Sequence, residues 1–170
     1  MVKIRKAEAE DAAEVARVQV ETWQRHYRGQ LPESYLAGLS IEHRTKVWRD
    51  IFTASPPRRA DFVAMEDGRI TGFCCVGSCR DEDADDGTGE LEAIYVEVAR
   101  HRRGIGAALM NTALDFLREQ GFLDATLWVL KSNAASIAFY ERRGWKADGA
   151  EKIDRNEVRV FEEIRYRIGL

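Results

Sequence analysis

The sequence predicts an α/β chain folded as one domain over residues 1–170, and three observations carry that reading. Helical and strand periodicities alternate along the chain. An Asp67-Gly68 pair sits between two apolar runs. The stretch Val96 to Leu109, VEVARHRRGIGAAL, passes from a β-branched run through a basic turn and two close glycines directly into an amphipathic helix. With 170 residues and 45% apolar content, the chain is long enough for one substantial core and too short for two comfortable domains.

Val2 to Arg5 alternates as a short first strand. Asp11 is placed to cap a helix running to about Tyr27, with Ala12, Val15, Ala16, Val18 and Val20 as its apolar surface. A turn from Gly29 to Pro32 leads into a second helical region. Ser40 caps a further segment through Phe52, closed by Pro56-Pro57. Asp61 to Glu66 and Arg69 to Cys79 flank Asp67-Gly68 and form a hairpin. Asp81 to Gly89 (DEDADDGTG) is too polar to be an element and reads as a connection with solvated charges. Glu90 to Val96 alternates and is rich in β-formers. Ile105, Leu109, Thr112, Ala113, Phe116 and Leu117 then recur at helical spacing, with Gly121 as the stop. Ala125 to Leu130 forms the next strand, Asn133 starts a helix that Gly144 ends, and Trp145 to Ala147 and Val158 to Arg167 read as final strands.

The formal charge of −3 argues against nucleic-acid binding by a general basic surface, so the basic run Arg100 to Arg103 is a local feature. Neither a signal peptide nor a run of about 20 apolar residues is present. A soluble, cytoplasmic protein without membrane partners is the expectation. Cys74, Cys75 and Cys79 share one apolar segment. Strand neighbours point to opposite faces, and no matching Cys/His pair exists elsewhere, so these read as buried, reduced thiols with no metal.

Gly104 and Gly106 carry no Cβ, so the backbone there can bend sharply and approach a ligand. The unpaired N–H groups of the first helical turn face that ligand, with the positive end of the helix dipole behind them, and a phosphate is the natural guest. A dinucleotide-binding turn requires a third glycine where Leu109 stands, and a P-loop requires a Gly-Lys-Ser/Thr that the chain lacks. The remaining pattern, His101-Arg-Arg-Gly104-Ile-Gly106, resembles the Gln/Arg-x-x-Gly-x-Gly/Ala pyrophosphate loop of the GNAT superfamily of N-acetyltransferases, with His in place of the first Gln or Arg. Asn133 to Trp145 (NAASIAFYERRGW) is similar to the second GNAT signature, an Asn, a helix carrying Phe-Tyr, then Gly-aromatic. The two ordered motifs cover the last half of the chain well and the first half more loosely.

The resemblance implies a mixed, mostly antiparallel central sheet with helices on both faces. It implies acetyl-CoA as cosubstrate, its pyrophosphate held by His101, Arg102, Arg103, Gly104, Ile105, Gly106 and Ala107. Backbone groups of Ile94, Tyr95 and Val96 would pair with the pantetheine arm and polarise the acetyl carbonyl. Asn133 would contact the cofactor arm, although N-capping explains it equally well. Tyr140, seven residues after Asn133 on nearly the same helix face, would hydrogen-bond the leaving sulfur, with a core tyrosine as the competing explanation. Ribosomal-protein acetyltransferases of the family place a general-base Glu five residues before the Asn, and this chain has Trp128 there.

An alkylammonium is not nucleophilic until deprotonated. Glu90 and Glu92, two apart on a strand and so on one face, are the candidate bases, against a reading as edge charges. Trp23 and Tyr27, four apart on a helix, and the nearby Tyr35 are candidate walls for a cationic amine, or ordinary helix-on-sheet packing. The leading expectation is acetyl transfer to a small primary amine by direct attack in a ternary complex. A protein or peptide acceptor and a non-catalytic acyl-CoA sensor are the alternatives, and Tyr140 favours an enzyme. Family membership further implies a homodimer.

Overall fold

The computed structural model describes residues 2–155 and 160–170. Seven strands form one sheet in the order β1-β2-β3-β4-β5-β7-β6. In chain order the elements are β1 (Lys3–Lys6), α1 (Ala12–His26), α2 (Glu33–Ala37), α3 (Ile41–Ala54), β2 (Ala60–Glu66), β3 (Arg69–Ser78), β4 (Thr88–Val96), α4 (Ile105–Glu119), β5 (Asp124–Leu130), α5 (Ala134–Glu141), β6 (Lys146–Arg155) and β7 (Val160–Gly169). Every neighbouring pair is antiparallel except β4 and β5, which run parallel. The mixed, mostly antiparallel sheet with helices on both faces is therefore what the chain forms.

Strand alternation sends the two sets of side chains into two cores. On one face Ala12, Val15, Ala16 and Val18 of α1 and Trp48 of α3 pack on Val63, Phe73 and Cys75. On the other, Ile105, Leu109, Ala113 and Leu117 of α4 pack on Phe62, Cys74, Leu91 and Leu127, with Tyr140 and Trp145 closing the end. Cys74 and Cys75 are buried on opposite faces and Cys79 is half-buried, all as free thiols. Burial raises the pKa of each.

Local chemistry explains most boundaries. Asp67 and Gly68 both have positive φ, 54° and 78°, the backbone of a type I′ turn, and they close the β2–β3 hairpin with Glu66 opposite Arg69. The Ser40 side chain accepts from His43 N at 3.0 Å and caps α3. Asp11 departs from expectation. It precedes α1 but does not cap it, because its carboxylate turns back to accept from Glu8 N at 2.8 Å and from the Arg5 guanidinium at 2.6 and 2.8 Å.

Two further expectations need correction. β6 extends over Lys146–Arg155 rather than stopping at Ala147, because pairing with β7 sustains a strand whose side chains are almost all exposed. The last strand begins at Val160 among the described residues, and the predicted start at Val158 lies outside them. The acidic connection is also far from passively solvated. Asp81 and Asp83 bind Arg165 of β7, with contacts of 2.7 Å to both Asp83 oxygens and 3.0 Å to Asp81. Asp81 also accepts from Trp128 Nε1 at 3.0 Å.

Candidate functional site

The site begins where the sheet opens. β4 and β5 share three residue pairs among the described residues, Thr88 with Asp124, Gly89 with Ala125 and Glu90 with Thr126. Beyond Glu90 the strands part. A bulge drives the separation, since Cys75 faces Ala93 and Val76 faces Leu91, leaving Glu92 as the extra residue that bends β4. Burial along β4 follows, with Thr88 to Leu91 buried and Glu92 to Val96 only partly so. From Ala93 to Val96 the strand keeps β3 on one side and offers its other backbone edge to the gap.

The glycine loop lies at the far end of that edge. Arg102 and Gly104 adopt left-handed backbone, φ 63° and 82°, and α4 starts at Ile105 with no side chain capping it. An added Cβ at Gly104 would meet nothing within 4 Å, so conformation and not crowding calls for glycine there. Gly106 serves closeness: a Cβ would sit 3.3 Å from the Phe139 ring of α5. Uncapped N–H groups in a left-handed turn form an anion-binding concavity.

The basic run divides its work. Arg100 and Arg103 both reach Glu66 Oε2, at 2.7 and 3.3 Å, which fastens the loop to the end of β2. His101 turns back, its Nε2–H donating to the Val96 carbonyl at 3.0 Å. Arg102 is exposed and makes no ion pair among the described residues. A diphosphate fits this donor set of backbone N–H groups with the Arg102 guanidinium beside it, so the loop can hold the pyrophosphate of acetyl-CoA.

A phenol stands on each face of the sheet. Tyr140 is buried against α4, with the Phe139 ring 5.4 Å away and Trp145 at 6.3 Å, and its hydroxyl makes no hydrogen bond among the described residues. Burial pushes its pKa well up, and the nearby Tyr95 phenol adds to the effect. Tyr95 packs on the opposite face of the sheet. The Tyr95 hydroxyl accepts from Trp23 Nε1 at 3.1 Å, while burial holds its own pKa up.

The carboxylates share a face, as the spacing predicts, but both are engaged. Glu90 is 4% exposed, and both its oxygens are held by Arg80, at 2.7 and 3.0 Å from the guanidinium and 3.1 Å from the backbone N–H. Glu92 Oε1 binds Arg59, and its Oε2 has a looser contact of 3.7 Å to Arg80. Asn133 is the N-cap of α5, its side-chain oxygen accepting from Ser136 N at 3.1 Å, which leaves its amide N–H groups for a ligand. Trp128 is held by Asp81 and lies under Lys152, whose Nζ is 4.2 Å from the ring centroid.

Trp23 and Tyr27 do come together, with centroids 4.9 Å apart. Tyr35, half-buried on α2, makes no ring contact with either among the described residues. Its expected place is taken by Phe161 of β7, stacked on Tyr27 at 5.2 Å and edge-on to Trp23 at 6.3 Å. Phe161 carried no sequence signal beyond membership of a strand. A cleft of about 420 Å³ opens beside it, between Gln30-Leu31 and the Leu130–Ser132 turn.

Comparison with known proteins accords with this geometry. Residues 20–145 match the family described as Acetyltransferase (GNAT) family. The uncharacterised N-acetyltransferase YuaI of Bacillus subtilis is 34% identical over 142 residues, covering 83% of this chain and 78% of the relative. Spermidine N(1)-acetyltransferase of Thermoplasma acidophilum is 24% identical over 156 residues, covering 90% and 93%. Among solved structures, the PaiA N-acetyltransferase of Thermoplasma acidophilum in complex with coenzyme A aligns with TM-score 0.73 at 22% identity, covering 96% of this chain and 98% of the other.

Proposed function

The chain belongs to the GNAT acetyltransferase family, and from that premise we propose that it acetylates the primary amine of a small molecule, by direct attack on acetyl-CoA within a ternary complex. The observation that carries the proposal is Tyr140, whose hydroxyl makes no hydrogen bond among the described residues, on α5, the helix whose Phe139 ring packs against Gly106 at the uncapped start of α4.

Bound acetyl-CoA supplies an activated acetyl group and a thiolate leaving group. The backbone of Ile105, Gly106 and Ala107 holds the phosphates, helped by Arg102. The free edge of Ile94, Tyr95 and Val96 aligns the arm, and its N–H groups are positioned to polarise the acetyl carbonyl. Tyr140 keeps its proton, because burial raises its pKa, and donates a hydrogen bond to the sulfur as charge develops there. Glu92 takes the amine proton through water at Oε2, whereas Glu90 fixes Arg80 and so orients Glu92. Trp23 and Tyr27 line the amine's approach. The relative acting on spermidine supports a small cationic acceptor.

The test is CoA thiol release from acetyl-CoA across polyamines, aminoglycosides, amino acids and peptides. Amine-dependent release with a small-molecule acceptor is expected. Release confined to peptides would transfer the reading to a protein acetyltransferase. Saturable acetyl-CoA binding with no release for any amine would mark a sensor.

A further inference from the structure

We propose that Glu66 is the positioning residue of the cosubstrate loop: with Arg100 and Arg103 as its two handles, it holds residues 100–104 in their phosphate-accepting shape before any cosubstrate arrives. The inference rests on the reading of that loop as the seat of a diphosphate and adds the residue that presets it.

Glu66 ends β2 and is 8% exposed. Its Oε2 accepts from Arg100 Nη1 at 2.7 Å and from Arg103 Nη1 at 3.3 Å, so one oxygen of a buried carboxylate ties two points of the loop three residues apart. Between those points stands Arg102, a non-glycine residue at φ 63°. An L side chain takes that backbone only where its surroundings impose it. Tethers on either side of Arg102 are such an imposition. The entry to the loop is fastened to the same hairpin. Glu97 N–H donates to the Thr71 carbonyl at 2.8 Å, and Glu97 Oε1 accepts from Arg17 Nη1 at 2.7 Å. Arg17 Nη2 in turn donates to the Ile70 carbonyl at 2.9 Å. The end of the β2–β3 hairpin therefore secures residues 97, 100 and 103, while Arg102 and Gly104 carry the left-handed turn.

Charge alone argues against a carboxylate in this place. Glu66 neutralises guanidinium charge beside a seat for a diphosphate, and the same arginines left unpaired would attract phosphate more strongly. What the carboxylate supplies is order, because a loop already in its bound shape loses less conformational freedom when the ligand arrives. The two effects have opposite signs, so binding measurements tell them apart.

The experiment is calorimetric titration of CoA into wild type, Glu66→Gln, Glu66→Asp, Arg100→Gln and the Glu66→Gln/Arg100→Gln double variant. Glu66→Gln removes a negative charge from beside the phosphates, yet it is expected to weaken CoA binding by about fivefold or more. Glu66→Asp keeps the charge but withdraws it by one methylene, and it should weaken binding as well. Arg100→Gln should have an effect similar to that of Glu66→Gln, with the double variant within about twofold of either, because both act through one contact. KM for acetyl-CoA should rise in step with these affinities, with kcat nearly unchanged. Amide exchange in ligand-free Glu66→Gln should quicken at residues 101–105 and slow again when CoA is added, while the two cores exchange as in wild type. A general loss of stability would quicken the cores too. Unchanged or tighter CoA binding in either Glu66 variant overturns the proposal, as do effects of Glu66→Gln and Arg100→Gln that multiply. Wild type that binds no CoA removes the diphosphate reading and the proposal with it. CoA binding that depends on Glu66 in this way, without acetyl transfer to any amine, supports this assignment and removes the transferase one.

Discussion

Tyr140 is enclosed by Phe139 and Trp145, yet its hydroxyl makes no hydrogen bond among the described residues. Tyr140→Phe keeps the ring packing and removes only that group. It should lower kcat by about 10²-fold with acetyl-CoA affinity unchanged, read from initial rates beside equilibrium binding. Because burial raises the phenol's pKa, the wild-type enzyme loses no protonated Tyr140 through pH 9. The pH profile of kcat/KM should rise as the acceptor amine deprotonates, without an alkaline fall in that range. At Gly104, φ 82° makes alanine strained by about 1 kcal/mol even though the space is open. Gly104→Ala should weaken acetyl-CoA binding more than it lowers Tm.

At the scale of elements, the β3–β4 connection and β7 are joined by Arg165, 6% exposed and bound to Asp81, Asp83 and Asp148. Arg165→Met leaves those carboxylates facing an apolar side chain. It should cost about 3 kcal/mol in unfolding free energy, measured by urea denaturation. The sequence could not reveal this clamp: five acidic residues in a glycine-containing run look solvated, and their partner stands more than 80 positions away. What was legible was local. The Asp67-Gly68 turn, the Ser40 cap and the glycine entry to α4 each depend on neighbouring residues, and each forms as read. Asp11 misled because Arg5 competes for its carboxylate. Tyr35 is near Trp23 and Tyr27 in sequence, but it is Phe161, from the far end of the chain, whose ring meets them. Glu90 and Glu92 were placed correctly on one face, but their arginine partners, Arg80 and Arg59, come from other segments.

For the molecule as a whole, acid should be the more damaging extreme. Arg5 hydrogen bonds hold Asp11 below the usual carboxylate range against the opposing effect of burial. Burial would raise Asp148, but bonds from Ala150 and Arg165 bring it below that range too. With folded pKa values depressed, their contribution is fully present above the unfolded value of about 4 and disappears as pH falls through the folded values. Melting temperature measured from pH 7 downward should therefore drop steeply below about pH 4, and less steeply in Asp148→Asn. No described helix is long and apolar enough to cross a membrane. The three pairs between β4 and β5 carry a mechanical consequence. The sheet behaves as tongs, its two leaves riveted at Thr88 to Glu90 and braced beside the rivet by the Arg165 clamp, while the jaws are free to breathe. With the cosubstrate bound as proposed, it would hydrogen-bond to one jaw and pack on the other, and so stiffen both. Amide exchange should slow together on Ala93–Val96 and Leu127–Leu130 when CoA is added, coupling two strands that otherwise fluctuate separately.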